Sequence, residues 1–143
     1  MSASRNTIIL DSNLVISAFL SPHGAASQVL CIAVENFEIA CSRETFDELV
    51  DVLKRDKFDR YATKKERAER LKLYAQNAIF SEVFLIVTDC KDTKDNKFLA
   101  LAVTTKAKAL VSGDKKDLIS MNPYNGIPII GLREFIETYN QYM

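Results

Sequence analysis

Histidine and cysteine are scarce in this chain, and their scarcity removes several kinds of site. The single histidine, His23, falls in the break Ser21-Pro22-His23-Gly24 and reads as an exposed loop residue. Cys31, Cys41 and Cys90 are an odd number with no CxxC spacing, so neither a disulfide framework nor a zinc site is expected, and a reducing cytoplasm is the natural setting. Charge of either sign is not in excess: 19 Lys and Arg match 19 Asp and Glu. Overall charge therefore does not advertise a partner, and any polyanion must be met by a local basic patch or by bound metal. No apolar run approaches the roughly 20 residues that span a bilayer, and the polar start up to Asn6 lacks the pattern of a signal peptide, so no membrane association is expected. Repeats, low-complexity stretches and linkers are missing too. With 143 residues, 48% of them hydrophobic, the expectation is a single domain over 1–143.

What is present is an alternation of short apolar runs and helical periodicities. Thr7–Leu10 is apolar and partly β-branched without alternation, as in a strand buried on both faces of a parallel sheet, and Asp11 ends it. Helical spacing follows over residues 13–20 and 24–37. Glu38–Cys41 is a second strand, and Ser42 caps a helix with Phe46, Leu49, Val50 and Leu53 in one stripe. Thr63 and Glu66 make a capping box for a charged helix whose apolar face is Leu71, Tyr74, Ala75 and Ala78. A strand is expected over 83–87, then a helix capped by Asp92 with Phe98, Leu99, Ala102 and Val103 inward, then the strand Ala109–Val111 ended by Ser112 and Gly113. Residues 123–126 are turn chemistry, 127–130 a last strand and 132–142 an amphipathic C-terminal helix. The order argues for an α/β sandwich with a mostly parallel central sheet.

In such sheets ligands sit beyond the carboxyl ends of the strands, where Asp11 and Asp114 both fall. An acid in either place is ordinarily a turn residue or a helix cap, but two strand ends with the same acid point to a site. Asp95 lies three, four and seven positions before Phe98, Leu99 and Ala102 and so continues their inward stripe, a poor place for a carboxylate without a partner. Its plain reading is service to the helix N-terminus in a box begun by Asp92. Glu48 sits beside the apolar stripe of its helix, within reach of the sheet edge, with Glu44 one turn earlier as a rival. Carboxylates gathered in one crevice repel one another, and a divalent cation resolves the repulsion. Oxygen-only ligands suit Mg²⁺ or Mn²⁺ and disfavour zinc. Such a site can activate water and stabilise charge on a phosphodiester.

The run Leu10-Asp11-Ser12-Asn13-Leu14-Val15-Ile16-Ser17-Ala18 resembles the opening motif of PIN domains. The likeness continues through Ser42 to Leu49, where the family places Glu before Leu, and through Asp95-Asn96-Lys97-Phe98-Leu99. It ends with Leu110-Val111-Ser112-Gly113-Asp114-Lys115-Lys116-Asp117-Leu118. The nearest branch resembles the single-domain toxins of toxin-antitoxin systems related to VapC. This resemblance implies a PIN-like three-layer α/β/α sandwich and a metal-dependent endoribonuclease acting on single-stranded RNA. It implies that Asp11, Glu48, Asp95 and Asp114 hold Mg²⁺ or Mn²⁺, that Asn13 orients the first Asp or its water, and that Asp114, Asp117 or both complete the site. A cognate antitoxin and a homodimer follow as expected partners, the dimer through the apolar and aromatic C-terminal helix with Tyr139, Tyr142 and Met143.

Between Lys54 and Lys72 basic residues outnumber acids, which makes this stretch the candidate phosphate track, with Phe58 or Tyr61 placed to stack a base. The competing reading is a solvated helix face with pairs such as Glu66 and Arg70. Two other functions compete with the nuclease. A haloacid-dehalogenase-like phosphatase also begins with an Asp after its first strand, but its general acid two residues later is here Asn13. A catalytically silent PIN module for binding nucleic acid or protein would have no need of every acidic position being filled.

Overall fold

The computed structural model describes residues 6–113 and 115–143, and Asp114 lies outside the described residues. Five strands form one sheet: β1 (Thr7–Leu10), β2 (Glu38–Cys41), β3 (Ala78–Phe80), β4 (Ala109–Val111) and β5 (Ile129–Ile130). Their order is β3-β2-β1-β4-β5 and every pairing is parallel. The chain therefore builds outward from β1 to β2 and β3, then returns to add β4 and β5 on the other side, which makes the gap between β1 and β4 the place where the winding reverses.

Strand residues alternate between two cores, as a period of two requires. Ile8, Leu10, Ile39, Cys41, Ala109, Val111 and Ile130 face one layer of helices, α1 (Ser12–Leu20), α2 (Ala25–Asn36), α3 (Arg43–Leu53), α4 (Lys64–Asn77) and α7 (Leu132–Thr138). Ile9, Ala40, Leu110 and Ile129 face α5 (Asn96–Thr105) and the short α6 (Lys116–Ile119). The result is the three-layer α/β/α sandwich. Among the described residues no single helix is long and apolar enough to cross a membrane.

The caps hold as read. Ser42 and Thr45 form a reciprocal box at the start of α3, and Thr63 and Glu66 do so at α4. Three expectations shift. The third strand is not 83–87 but Ala78–Phe80, because α4 ends directly into it and these residues take up the ladder of β2; Ser81 donates to the Cys41 carbonyl at 2.8 Å, and β2 offers nothing beyond. Ala78 is thus a strand residue and not part of the α4 face. The Asp92 side chain caps a 3-10 turn, Thr93–Asp95, and α5 begins only after it. The C-terminal helix α7 gives way to a 3-10 turn, Tyr139–Tyr142, whose half-buried tyrosines pack with Ile136 against the chain's own core, while Met143 is exposed.

Candidate metal and nucleic-acid site

Asp11 leaves the end of β1 and caps α1. Its Oδ1 accepts from the Leu14 amide at 2.9 Å, its Oδ2 accepts from the Ser112 hydroxyl, and the Gly113 amide donates to Oδ2 at 3.2 Å. Ser112 and Gly113 follow β4, so the carboxylate is held across the β1/β4 reversal. It is fully buried. Burial pushes its pKa up, and the hydrogen bonds from Ser112, Leu14 and Gly113 together with Lys115 pull the other way.

Glu48 projects from α3 toward the same end of the sheet. Its Oε1 accepts from the Ser12 hydroxyl at 2.6 Å and its Oε2 meets Lys97 Nζ at 2.9 Å. Glu44, the rival, is exposed and borders a separate cavity with Val83 and Leu85.

Asp95 closes the 3-10 turn ahead of α5. It is 1% exposed, and among the described residues neither carboxylate oxygen has a hydrogen-bond partner. The capping role is therefore not what this side chain does. Lys115 Nζ stands 3.6 Å from Oδ1, an ion pair beyond hydrogen-bond distance. Burial raises the Asp95 pKa; Lys115 opposes this, while Asp92, Asp11 and Glu48 raise it further. Asp11, Glu48 and Asp95 thus act on one another.

Asn13 is exposed at the first turn of α1 and lines a cleft of about 440 Å³ with Ser12, Glu48, Lys94, Lys115 and, on the far side, Arg55, Lys57 and Phe58. Asp117, in the first turn of α6, is half-buried, and its backbone carbonyl accepts from the Cys90 thiol at 3.7 Å. Four residues that sequence reasoning did not single out shape the site: Ser12, Lys97, Ser112 and Lys115. Lys97 and Lys115 flank the acidic motifs, and a cation beside each acid was the available signal.

Among the described residues no three acidic, histidine or cysteine side chains form a ready-made metal cage. The donors still fit a hard divalent cation. All are carboxylate oxygens, and Asp95 presents two buried ones that make no hydrogen bond among the described residues, with the Lys115 ammonium 3.6 Å from one of them.

A family model described as a PIN domain matches residues 7–116. The chain belongs to the PIN-domain family. PIN domains are generally nucleases, and the family's nucleases generally use divalent metals. An uncharacterized protein, MJ1680 of Methanocaldococcus jannaschii, is 30% identical, with 95% of this chain and 93% of that protein covered. Among solved structures, VapBC2 from Rickettsia felis bound to a DNA fragment from their promoter matches with a TM-score of 0.61 at 15% identity, covering 87% of this chain and 98% of that one. At that identity the likeness is one of fold.

Proposed function

We infer that this PIN domain is a Mg²⁺- or Mn²⁺-dependent endoribonuclease that cuts single-stranded RNA. The observation that carries the reading is the buried carboxylate of Asp95, without a hydrogen-bond partner among the described residues, beside Asp11 and Glu48. Asp11, Glu48 and Asp95 hold the cation, with Asp114 as the further ligand that the family pattern supplies. When bound, the cation polarises the phosphate and makes water acidic enough to act as a nucleophile. The chain's own residues do the positioning. Ser112 and Gly113 fix the Asp11 carboxylate, and Ser12 turns Glu48. Asn13, at the cleft rim, orients water or a phosphate oxygen. Hydrolysis forms a bond from the water oxygen to phosphorus and breaks an ester P–O bond, with the departing oxygen taking a proton. The ammonium groups of Lys97 and Lys115 lie where the extra negative charge develops.

Substrate binding falls to the far side of the cleft. Arg55 and Lys57 meet phosphates, and Phe58 offers a ring to a base. Single strands suit this groove because only unpaired bases can be stacked in it. Several other cations of the 54–72 stretch have structural work instead: Arg67 is buried, Lys64 pairs with Asp56 and Asp59, and Arg70 donates to the Phe19 carbonyl. The fold shared with VapBC2 supports a cognate antitoxin as protein partner.

The test is cleavage of a labelled single-stranded RNA at low salt with Mn²⁺. EDTA abolishes cleavage by the unmodified protein, and Asp11→Asn lowers the rate by more than about a hundredfold while the fold is kept. Turnover of small phosphomonoesters with RNA left intact would overturn the reading in favour of a phosphatase. RNA retention without metal-dependent products would favour a binding module.

A further inference from the structure

Residues 81–90 leave β3 without regular structure but are pinned along their length. Ser81 donates to the Cys41 carbonyl, Val83 and Val87 pack on the core on the α5 side of the sheet, and the Cys90 amide donates to Asn96 Oδ1 at 2.8 Å. Between these anchors Leu85 and Ile86 stay in solvent, Ile86 at 86% exposure. Apolar side chains held outside by a fixed segment mark a binding surface. They wall a cavity of about 350 Å³, a volume in the range of small-ligand sites, whose polar lining includes Glu44, Lys94, Asn96 and Lys97. The cavity adjoins the carboxylates. Lys94 lines both it and the cleft beside Asn13, and Lys97, on its wall, is the cation on Glu48.

We propose that this cavity is a subsite for one unpaired base of the RNA, and that Glu44 makes that base a guanine. Its place in the substrate path rests on the ribonuclease reading: a strand that enters by Arg55, Lys57 and Phe58 and passes the carboxylates reaches the cavity next, with Lys94 as the phosphate contact between the two. Leu85 and Ile86 supply an apolar wall for the face of the base, and the edge is read by the polar lining. Glu44, exposed in the first turn of α3, enters none of the ion pairs among the described residues, so its carboxylate is open to a ligand. Two carboxylate oxygens side by side accept from two adjacent donors, and guanine alone among the RNA bases has them, in its ring N–H and the neighbouring amino group. Adenine and cytosine set a ring-nitrogen acceptor beside their amino group, and uracil flanks its one N–H with carbonyls, so each of these turns a lone pair toward the carboxylate. With its Oδ1 accepting from Cys90, the Asn96 side chain offers its N–H donors, which suit the guanine carbonyl.

NMR titration of the isotope-labelled full chain with each of the four nucleoside monophosphates, in the absence of divalent metal, tests it. Guanosine monophosphate should shift the backbone signals of residues 83–87 and the Asn96 side-chain amide, with an affinity about tenfold or more above that of the other three, as a bidentate pair provides. Glu44→Gln should remove the preference and Ile86→Ser should weaken all four nucleotides alike, both at exposed positions and with unchanged circular dichroism. Equal binding of all four nucleotides, shifts confined to residues 55–58, or a guanosine preference that survives Glu44→Gln would overturn the proposal. So would Ile86→Ser without effect, the result expected if another protein chain covers the cavity. The metal-free readout separates this subsite from the nuclease reading. RNA left uncut by protein that selects guanosine at 83–87 would sink the nuclease and support the subsite, whereas RNA cut by protein that selects no nucleotide would do the reverse.

Discussion

Asp95 illustrates what a single side chain can cost a fold. With no hydrogen bond to either oxygen, its folded pKa is raised by burial above the ordinary carboxylate value, and Asp11 is raised for the same first reason. A carboxyl group whose folded pKa is raised adds stability below the unfolded value, near 3.8, and that stability is lost as pH rises through the folded pKa. Ionising either group in metal-free protein therefore costs stability. Asp95→Asn should raise the melting temperature of metal-free protein at pH 7 by about 2–4 °C for each ~1 kcal/mol of relieved charge. The gain should vanish below about pH 4, where the unmodified carboxyl is itself protonated. Mn²⁺ should stabilise the unmodified protein and leave the variant nearly unmoved. Thermal scans across pH, with and without Mn²⁺, check all three outcomes. Asp95 was legible in the sequence because a carboxylate in an apolar stripe is anomalous. The roles of Ser112 and Lys115 were not, since Ser112 meets Asp11 across 101 positions and Lys115 meets Asp95 through a turn that no local pattern describes.

Helix α3 and the segment after it show how an element carries a site. The Ser42–Thr45 box fixes where α3 starts, and that start decides that Glu48, not Glu44, faces Ser12. After α3 the chain turns through residues 54–62, which present Arg55, Lys57 and Phe58 to the cleft. Arg67 of α4 holds this turn from inside. Its guanidinium donates to the carbonyls of Leu53, Ala62 and Arg55 and to Asp59. Arg67→Leu takes the guanidinium from the Leu53 and Ala62 carbonyls and should cost about 3 kcal/mol or more. Limited trypsin digestion should then cut at Lys57 or Arg60 far faster than in the unmodified protein; equal digestion rates and an unchanged melting temperature would refute the clamp. In the sequence Arg67 falls in the basic stretch that reads as phosphate track or solvated face, because its spacing on α4 carries no sign of burial. The strand expected over 83–87 failed for a related reason. A run of apolar residues fits a strand only where a neighbour has ladder left to pair, and β2 is finished at Cys41.

At the scale of the whole molecule, five parallel strands in the order β3-β2-β1-β4-β5 place the winding reversal between β1 and β4. Asp11 ends one of these strands and Ser112 follows the other, so the site's first carboxylate is fixed where parallel sheets leave a crevice. This much was legible from strand order and from acids at strand ends. With zero net charge over the chain, the proposed RNA substrate would be attracted locally, by a few cations on the cleft, and not by the molecule's overall field. Affinity for single-stranded RNA, measured in Ca²⁺ to prevent cleavage, should then fall with salt at a slope of about −2, as two or three phosphate contacts at ~0.7 each require. A slope several times steeper would mean that most of the 54–72 cations bind RNA after all. The central claim is that the carboxylates at the strand reversal hold a divalent cation, and an anomalous difference map from crystals soaked in Mn²⁺ tests it most directly. The account predicts one or more peaks in coordination contact with Asp95 and Asp11, with Lys115 displaced from the Asp95 carboxylate. A map from Mn²⁺-saturated crystals with Lys115 still beside Asp95 and no peak there would contradict it.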